Sequence, residues 1–334
     1  MSAIGDAIMT MPLACALREH YPNAFITWIA EPGAGAVLKG HASIDELVVL
    51  PKRWLKSPRT VWQLRERLHA LQIEVAIDPQ SLSKSAIAAW LTGARRRIGF
   101  KSPRGRELSL ALNNVRHKLE QTHVVDTQLE LLRYLDIENP QVRFDVPRDT
   151  EAERSVDQFF KAAGLCEPFI TINPGAGWGS KQWPADRFGE VAGRLWGKHG
   201  IRSLVVWAGG EERARAREIA AVAGDHAVVS PSTSLPQLAG VLRLTSMLVS
   251  ADTGPAHLAA AVGTPVVGLF GPTLPEVTGP YGDQHIAIQA FHQSGRAVKR
   301  RRTPNTAMLA ITVDQVCLAC EQVLTRGDAK TCAA

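Results

Sequence analysis

Cysteine is scarce in this 334-residue sequence: five residues, an odd number, which makes no disulfide framework for a chain of this length. Cys317 and Cys320 form a C-x-x-C, but inside an apparently helical stretch, TVDQVCLACEQVL, with no second Cys or His pair at finger spacing. Both are therefore expected to be buried helical thiols rather than metal or redox ligands. Long apolar runs are missing too, none reaching the ~18–20 residues that cross a bilayer. The N-terminus lacks the basic-then-apolar pattern of a secretory signal, so a cytoplasmic location is the default expectation. Only three tyrosines are present and no aromatics interleave with the arginine runs, which speaks against a base-stacking nucleic-acid surface. No strand–GxGxxG–helix unit with a following acid is visible, which disfavours a dinucleotide-dependent dehydrogenase, and no glycine loop ends in the G-K-[ST] of a Walker site.

What is present fits a soluble globular chain of about two domains, on the usual ~100–200 residues per domain. A net charge of +6 points to an acidic partner: phosphates, an anionic membrane surface or nucleic acid. The basic residues concentrate in ARRRIGFKSPRGR (94–106) and KRRR (299–302), and each run taken alone reads as a solvated loop.

Short Val/Ile-rich runs alternate with amphipathic helical stretches, the pattern of a parallel α/β construction. FITWIA (25–30), ELVVL (46–50), EVAID (74–78) and RRIGF (96–100) are predicted strands of a first half. FITIN (169–173), SLVVWA (203–208), HAVVS (226–230), SMLVSA (246–251) and PVVGLFG (265–271) are those of a second. The proline-bearing, charged segment 136–153 is the expected linker, and one long helix is expected over 123–135. The chain opens on a turn and a helix with no strand ahead of it, although a doubly wound domain normally enters through its first, central strand. The first strand of the N-terminal domain is therefore expected to be missing here, with Met1 an internal methionine and the true first strand upstream; the alternative is a fold that does without it, which would leave a gap in the sheet.

Four turns carry the chemistry. In SADTGPAHLAAAVGTPVVGLFGP (250–272), Asp252, Thr253 and Gly254 end a buried strand, Pro255 suits the first helical position and Gly263 stops a short alanine-rich helix. The N–H groups of about residues 254–257 are expected to be unpaired there, forming an anion site with the Thr253 hydroxyl, and His257 lies one turn on. The plainer alternative is a cap at Thr253 or Asp252 and a packed core histidine. NPGAGWGSKQWP (173–184) offers three glycines that leave the backbone free to wrap an anion, and Lys181 as its only cation. WAGGEERARARE (207–218) places Glu211 or Glu212 at a helix N-terminus, where a carboxylate can address ribose hydroxyls or a base edge, although acids there are common for dipole reasons alone. SAIGD (2–6) puts Asp6 at the start of a helix, a candidate general base if it stands opposite a phosphate-binding half.

These segments resemble glycosyltransferase family 9, the lipopolysaccharide heptosyltransferases. SAIGD…P (2–12) is similar to that family's N-terminal signature, HVVDTQLELLRYLDI (123–137) to its interdomain helix and PGAGWGSKQWP (174–184) to its phosphate loop. DTGPAHLAAAVGTPVVGLFGPT (252–273) with GPYG (279–282) resembles its most diagnostic segment, and AITVDQV (310–316) the start of its last helix. The resemblance implies a GT-B fold, with two Rossmann-like domains facing across a cleft. Residues 1–148 would bind the acceptor, 149–312 the nucleotide-sugar, and a helix at 313–328 would cross back to the first domain. It implies metal-independent, inverting transfer of a heptose from an ADP-sugar to a lipopolysaccharide-core-type acceptor, with no cofactor and no metal site.

On matching positions Asp6 falls on the base and Lys181 on the diphosphate-binding lysine. Ala176, Gly177, Glu211 or Glu212, Asp252, Thr253, Gly254 and His257 fall on the donor site. Ser2, Gly5 and His123 lie in segments implied to form the acceptor site. Arg97, Lys101 and Arg104 join them on charge and domain alone, as holders of an acidic lipid-linked sugar at the inner membrane face. The expected molecule is a monomer that binds no nucleic acid. Two departures stand out: Ala176 and Gly177 replace the hydroxyl residues frequent in the family's phosphate loop, and Lys299–Arg302 stand where many relatives carry cysteine. A nucleotide-sugar epimerase, or a non-catalytic nucleotide-sugar-binding protein of the same fold, is the alternative reading.

Overall fold

The computed structural model describes residues 3–165, 168–295, 300–301 and 303–331. Ser2, Lys299 and Arg302 lie outside the described residues. The chain forms two compact units, Met1–Pro147 and Arg148–Ala334, divided within the proline-bearing segment expected to be the linker.

The first unit runs α1 (Ile4–His20), β1 (Thr27–Ala30), α2 (Pro32–Leu38), β2 (Glu46–Val49), α3 (Pro58–Ala70), β3 (Val75–Ile77), α4 (Ser83–Leu91), β4 (Arg96–Phe100), α5 (Ser109–Leu112), β5 (Val115–His117) and α6 (Val124–Leu129). The long helix expected over 123–135 is α-helical only to Leu129 and continues as a 3-10 turn, Glu130–Leu135. Among the described residues α1 is the first element, and the strands form two separate parallel sheets, β1–β2 and β3–β4–β5. A cavity of about 520 Å³ lies between them. Residues 26–29 and 73–80 line it consecutively. Successive strand side chains point to opposite faces, so an unbroken run of lining residues means that the edges of β1 and β3 themselves border the cavity. Among the described residues no strand pairs with both β1 and β3.

The second unit runs α7 (Thr150–Ala163), β6 (Phe169–Asn173), α8 (Ala185–His199), β7 (Arg202–Val205), α9 (Gly209–Ala223), β8 (Ala227–Val229), α10 (Leu235–Leu244), β9 (Met247–Ala251), α11 (Gly254–Ala261), β10 (Val266–Phe270), α12 (Pro275–Thr278), β11 (Ile286–Gln289), α13 (Thr306–Leu309) and α14 (Val313–Thr331). Caps set several helix ends. The Asp149 carboxylate accepts the N–H groups of Glu151 and Ala152 to start α7, and Gly164 and Gly200, at φ +57° and +67°, end α7 and α8 in the left-handed region. All strands are parallel in the order β11-β10-β9-β6-β7-β8. β6, β9 and β10 are buried at every position, as near-continuous apolar runs require when helices cover both faces.

Phe188, Val191 and Leu195 of α8 share that core with Val316, Cys317, Cys320 and Val323 of α14. By its packing, then, the segment expected as a separate crossing helix is part of the second unit. Both of its cysteines are free and buried, and burial pushes their thiols up, as expected of inert core residues. In the first unit burial takes the Cys15 thiol up to about 12.

Candidate functional site

The order of the second sheet fixes where a ligand can bind. From β6 the chain passes to β7 and β8 on one side and returns to β9, β10 and β11 on the other, so connections diverge at the carboxyl ends of β6 and β9. Such a switch point opens a crevice. The loop after β6 and the turn after β9 are the two segments that stood out in the sequence. Asn173, the last residue of β6, ties them together: its Nδ2 donates to Ser250 Oγ (2.9 Å) and to Thr253 Oγ1 (3.1 Å).

Thr253 is the N-cap of α11, but its side chain makes no cap hydrogen bond and is held in that polar cluster. The expected set of free N–H groups is smaller than the motif suggested. Those of Ala256 and His257 point to the Thr253 carbonyl, and Pro255 has none, so Gly254 carries the remaining backbone donor of the turn among the described residues. Leu258 and Ala259 are fully buried, which gives the alanine-rich run its purpose: it seats α11 closely on the sheet.

Lys181 closes a 3-10 turn, Gly179–Lys181, and its ammonium lies 2.6 Å from Asp252 Oδ2 and 3.2 Å from the Asp252 carbonyl. On the other carboxylate oxygen, His257 Nε2 stands 3.4 Å from Oδ1, while His257 Nδ1 is buried without a partner. Burial alone would raise the Asp252 carboxyl. The hydrogen bond from His257 and the charges of Lys181 and His257 outweigh it and hold the group below the usual carboxylate range. The ammonium is thus anchored by a buried, ionised carboxylate. It also lies over the Trp178 ring at 4.4 Å, with the Arg301 guanidinium over the same ring at 4.8 Å. Arg301 belongs to a run that reads as solvated loop from sequence; the structure instead places it beside the lysine loop. Arg300 of the same run donates to the Pro272 carbonyl at 2.5 Å.

The two glutamates separate. Glu211 is exposed, whereas Glu212 is half-buried, and its Oε2 accepts the Ala208 N–H at 2.8 Å. Its carboxylate also lies against Gly175, where an added Cβ would come within 2.6 Å of Oε1. Glu212 is therefore the one that adjoins the glycine loop. Ala176 is half-buried, Gly177 is exposed, and a Cβ at Gly177 would meet nothing within 4 Å.

In the first unit, Asp6 sits in the opening turn of α1 beside Gly5, half-buried, and at one end of the cavity. Gln80 Nε2 donates to Asp6 Oδ2 at 3.1 Å. The Arg104 guanidinium lies 5.4 Å over the Phe100 ring with Nε buried and unpartnered; burial pulls its pKa down and the Asp6 charge opposes that. Lys101 is exposed, immediately before the cis Ser102–Pro103 bond. Arg97 donates to the Leu112 and Ala94 carbonyls at 2.7 and 2.6 Å, so its guanidinium braces the scaffold around β4. His123 is the N-cap of α6, accepting the Val125 N–H through Nδ1 at 3.2 Å.

Gln80, Asn173, Trp178 and Arg301 were not assigned from sequence. Gln80 and Asn173 carried a legible signal, a polar residue at or just past the end of a predicted strand. Trp178 and Arg301 did not, because their meeting spans more than a hundred residues. Among the described residues no group of three or more His, Cys, Asp or Glu is arranged to hold a metal ion. No described helix is long and apolar enough to cross a membrane.

A model of the family described as glycosyltransferase family 9 (heptosyltransferase) matches residues 61–308. Lipopolysaccharide heptosyltransferase 1 of Salmonella typhimurium is 28% identical over 307 residues, covering 88% of this chain and 93% of its own. The protein of that name from Pseudomonas aeruginosa is 29% identical over 321 residues, covering 90% and 85%. Among solved structures, E. coli heptosyltransferase WaaC with ADP-2-deoxy-2-fluoro heptose superposes at TM-score 0.74 with 25% identity, covering 96% of this chain and 97% of that one. A family 9 glycosyltransferase from Veillonella parvula superposes at 0.79 with 22% identity, covering 97% and 94%, which shows a shared GT-B fold.

Proposed function

The chain belongs to glycosyltransferase family 9 and is a glycosyltransferase, and from that premise we propose that it moves a heptose from ADP-heptose to an acidic, lipid-linked saccharide of the lipopolysaccharide-core type. The observation that carries the donor half is the ammonium of Lys181 held by the buried Asp252 at the switch point, beside the Thr253 hydroxyl and the N-terminus of α11. A diphosphate needs compensating positive charge and donors there, and a helix N-terminus adds its dipole. Lys181, Thr253 and the Gly254 N–H stabilise the charge that builds on the β-phosphate as the bond to the anomeric carbon breaks, in place of a divalent ion. Glu212, beside the glycine loop, is the residue for the nucleoside. The WaaC structure with an ADP-heptose analogue supports this choice of donor.

A sugar hydroxyl ionises far above neutrality, so its attack needs a base. Asp6 takes that proton, in a single displacement with inversion. Lys101 and Arg104 are the cations for the acidic acceptor, which brings the protein to the cytoplasmic face of the inner membrane. The test is a donor screen. ADP-, UDP- and GDP-sugars are offered with deacylated lipopolysaccharide core as acceptor, with and without EDTA, and the anomeric configuration of the product is read by NMR. Transfer from ADP-heptose alone, inverted and undiminished by EDTA, is expected. Transfer only from another nucleotide-sugar, a retained configuration, or loss with EDTA contradicts the proposal.

A further inference from the structure

We propose that Gln80 is a positioning residue for the Asp6 carboxylate, held in place by a buried polar network behind the turn that carries it; the proposal rests on the reading of Asp6 as the base. The network is otherwise unexplained. Asp78, Ser81 and Asn113 are 2%, 0% and 1% exposed, and a carboxylate that deep is costly unless its lone pairs are filled. Each oxygen has a donor: Asp78 Oδ1 accepts the Ser81 N–H at 2.8 Å and Oδ2 accepts Asn113 Nδ2 at 3.0 Å, while burial still pushes the carboxyl's pKa up. Ser81 Oγ donates to the Asp78 carbonyl (2.9 Å) and accepts the Phe100 N–H (2.8 Å), while Ser109 Oγ donates to the Ser81 carbonyl (2.8 Å). Ser81 itself is left-handed at φ +49°, a conformation that persists only where surroundings over-determine it. Gly99 is part of the fit, since a Cβ there would lie 2.3 Å from Asn113 Nδ2 and 2.8 Å from Ser81 Oγ.

All of these bonds clamp the two ends of one turn, residues 78 and 81. What the turn carries between them is Gln80, whose amide makes the one side-chain hydrogen bond to the Asp6 carboxylate among the described residues. A neutral donor on Oδ2 fixes the carboxylate's rotation and leaves Oδ1 to take a proton. A cation in that place would hold the proton affinity too low for a useful base. Arg104 feels the charge of that carboxylate but keeps its guanidinium over Phe100.

The test is a double-mutant cycle on ADP-heptose transfer to deacylated lipopolysaccharide core, with ADP affinity and melting temperature measured in parallel. Q80A and Q80E are each expected to lower kcat by about 10–100-fold, the scale of a misplaced reacting group, with ADP affinity and melting temperature unchanged. In the Asp6→Asn background the Q80A change is expected to cost nothing further, because there is no base left to position. Equal losses from Q80A in both backgrounds, or near-wild-type kcat in Q80A while Asp6→Asn is impaired, overturn the positioning role alone. Full activity of Asp6→Asn itself instead overturns the reading of Asp6 as base, so the two failures are told apart.

Discussion

The two units follow one construction rule and differ in continuity. In the second, β6 lies between β7 and β9 and six strands form one sheet; in the first, β1 and β3 each border a cavity and the sheet is in two pieces. The difference teaches where rigidity comes from. The turns of the second unit that carry Lys181, Asp252 and Thr253 hang on strands paired along both edges, so their geometry is inherited from the sheet. In the first unit no such sheet stands behind Asp6, and the buried Asp78–Asn113–Ser81 network supplies the stiffness instead. One unit holds its site by backbone pairing, the other by side-chain hydrogen bonds.

The largest effect that would sharpen this contrast is on turnover. Asp6→Asn is expected to cut kcat by ~10²–10⁴-fold, the usual worth of a general base, with the melting temperature preserved. Next is Lys181→Met, which leaves the buried Asp252 carboxylate without its ammonium. Removing one partner of a buried ion pair typically costs ~3–5 kcal/mol, readable as a lowered denaturant midpoint of the second unit.

A smaller effect is on acid stability. The Asp252 carboxyl is depressed in the folded state, so its contribution is fully present above the unfolded value of ~3.9 and is lost as pH falls from there through the folded pKa. Asp252→Asn is therefore expected to flatten the decline in stability below about pH 4. A decline as steep as in the parent protein would place the acid sensitivity elsewhere. The smallest effect is local: amides of β1 and β3 are expected to exchange with deuterium faster than those of β6 and β9, because only the latter are paired on both sides. Equal protection would break the contrast between the two sheets.

Much of this was legible in the sequence because parallel α/β strands announce themselves as short Val/Ile runs. RRIGF marks β4 to the residue, and FITIN does the same for β6. SLVVWA overshoots: β7 is Arg202–Val205, because the chain leaves the sheet before Trp207, whose Nε1 donates to the Ser230 carbonyl. The Lys181, Asp252 and Thr253 motifs could be found because a polar turn after an apolar run is a local signal. The ion pair between Lys181 and Asp252 could not, nor the placing of Arg301 on Trp178, since each needs the register of strands far apart in the chain. Helix 123–135 misled because amphipathic spacing does not separate an α-helix from one that tightens to 3-10 after Leu129.

In the proposed function nucleotide binding belongs to one unit and proton abstraction to the other, and calorimetry of ADP binding to the parent protein, Asp6→Asn and Lys181→Ala tests that division most directly. Asp6→Asn is expected to bind ADP as the parent does while failing to transfer, and Lys181→Ala to lose at least about tenfold in affinity, ~1.4 kcal/mol. Weakened ADP binding in Asp6→Asn, or parent-like binding in Lys181→Ala, would contradict it.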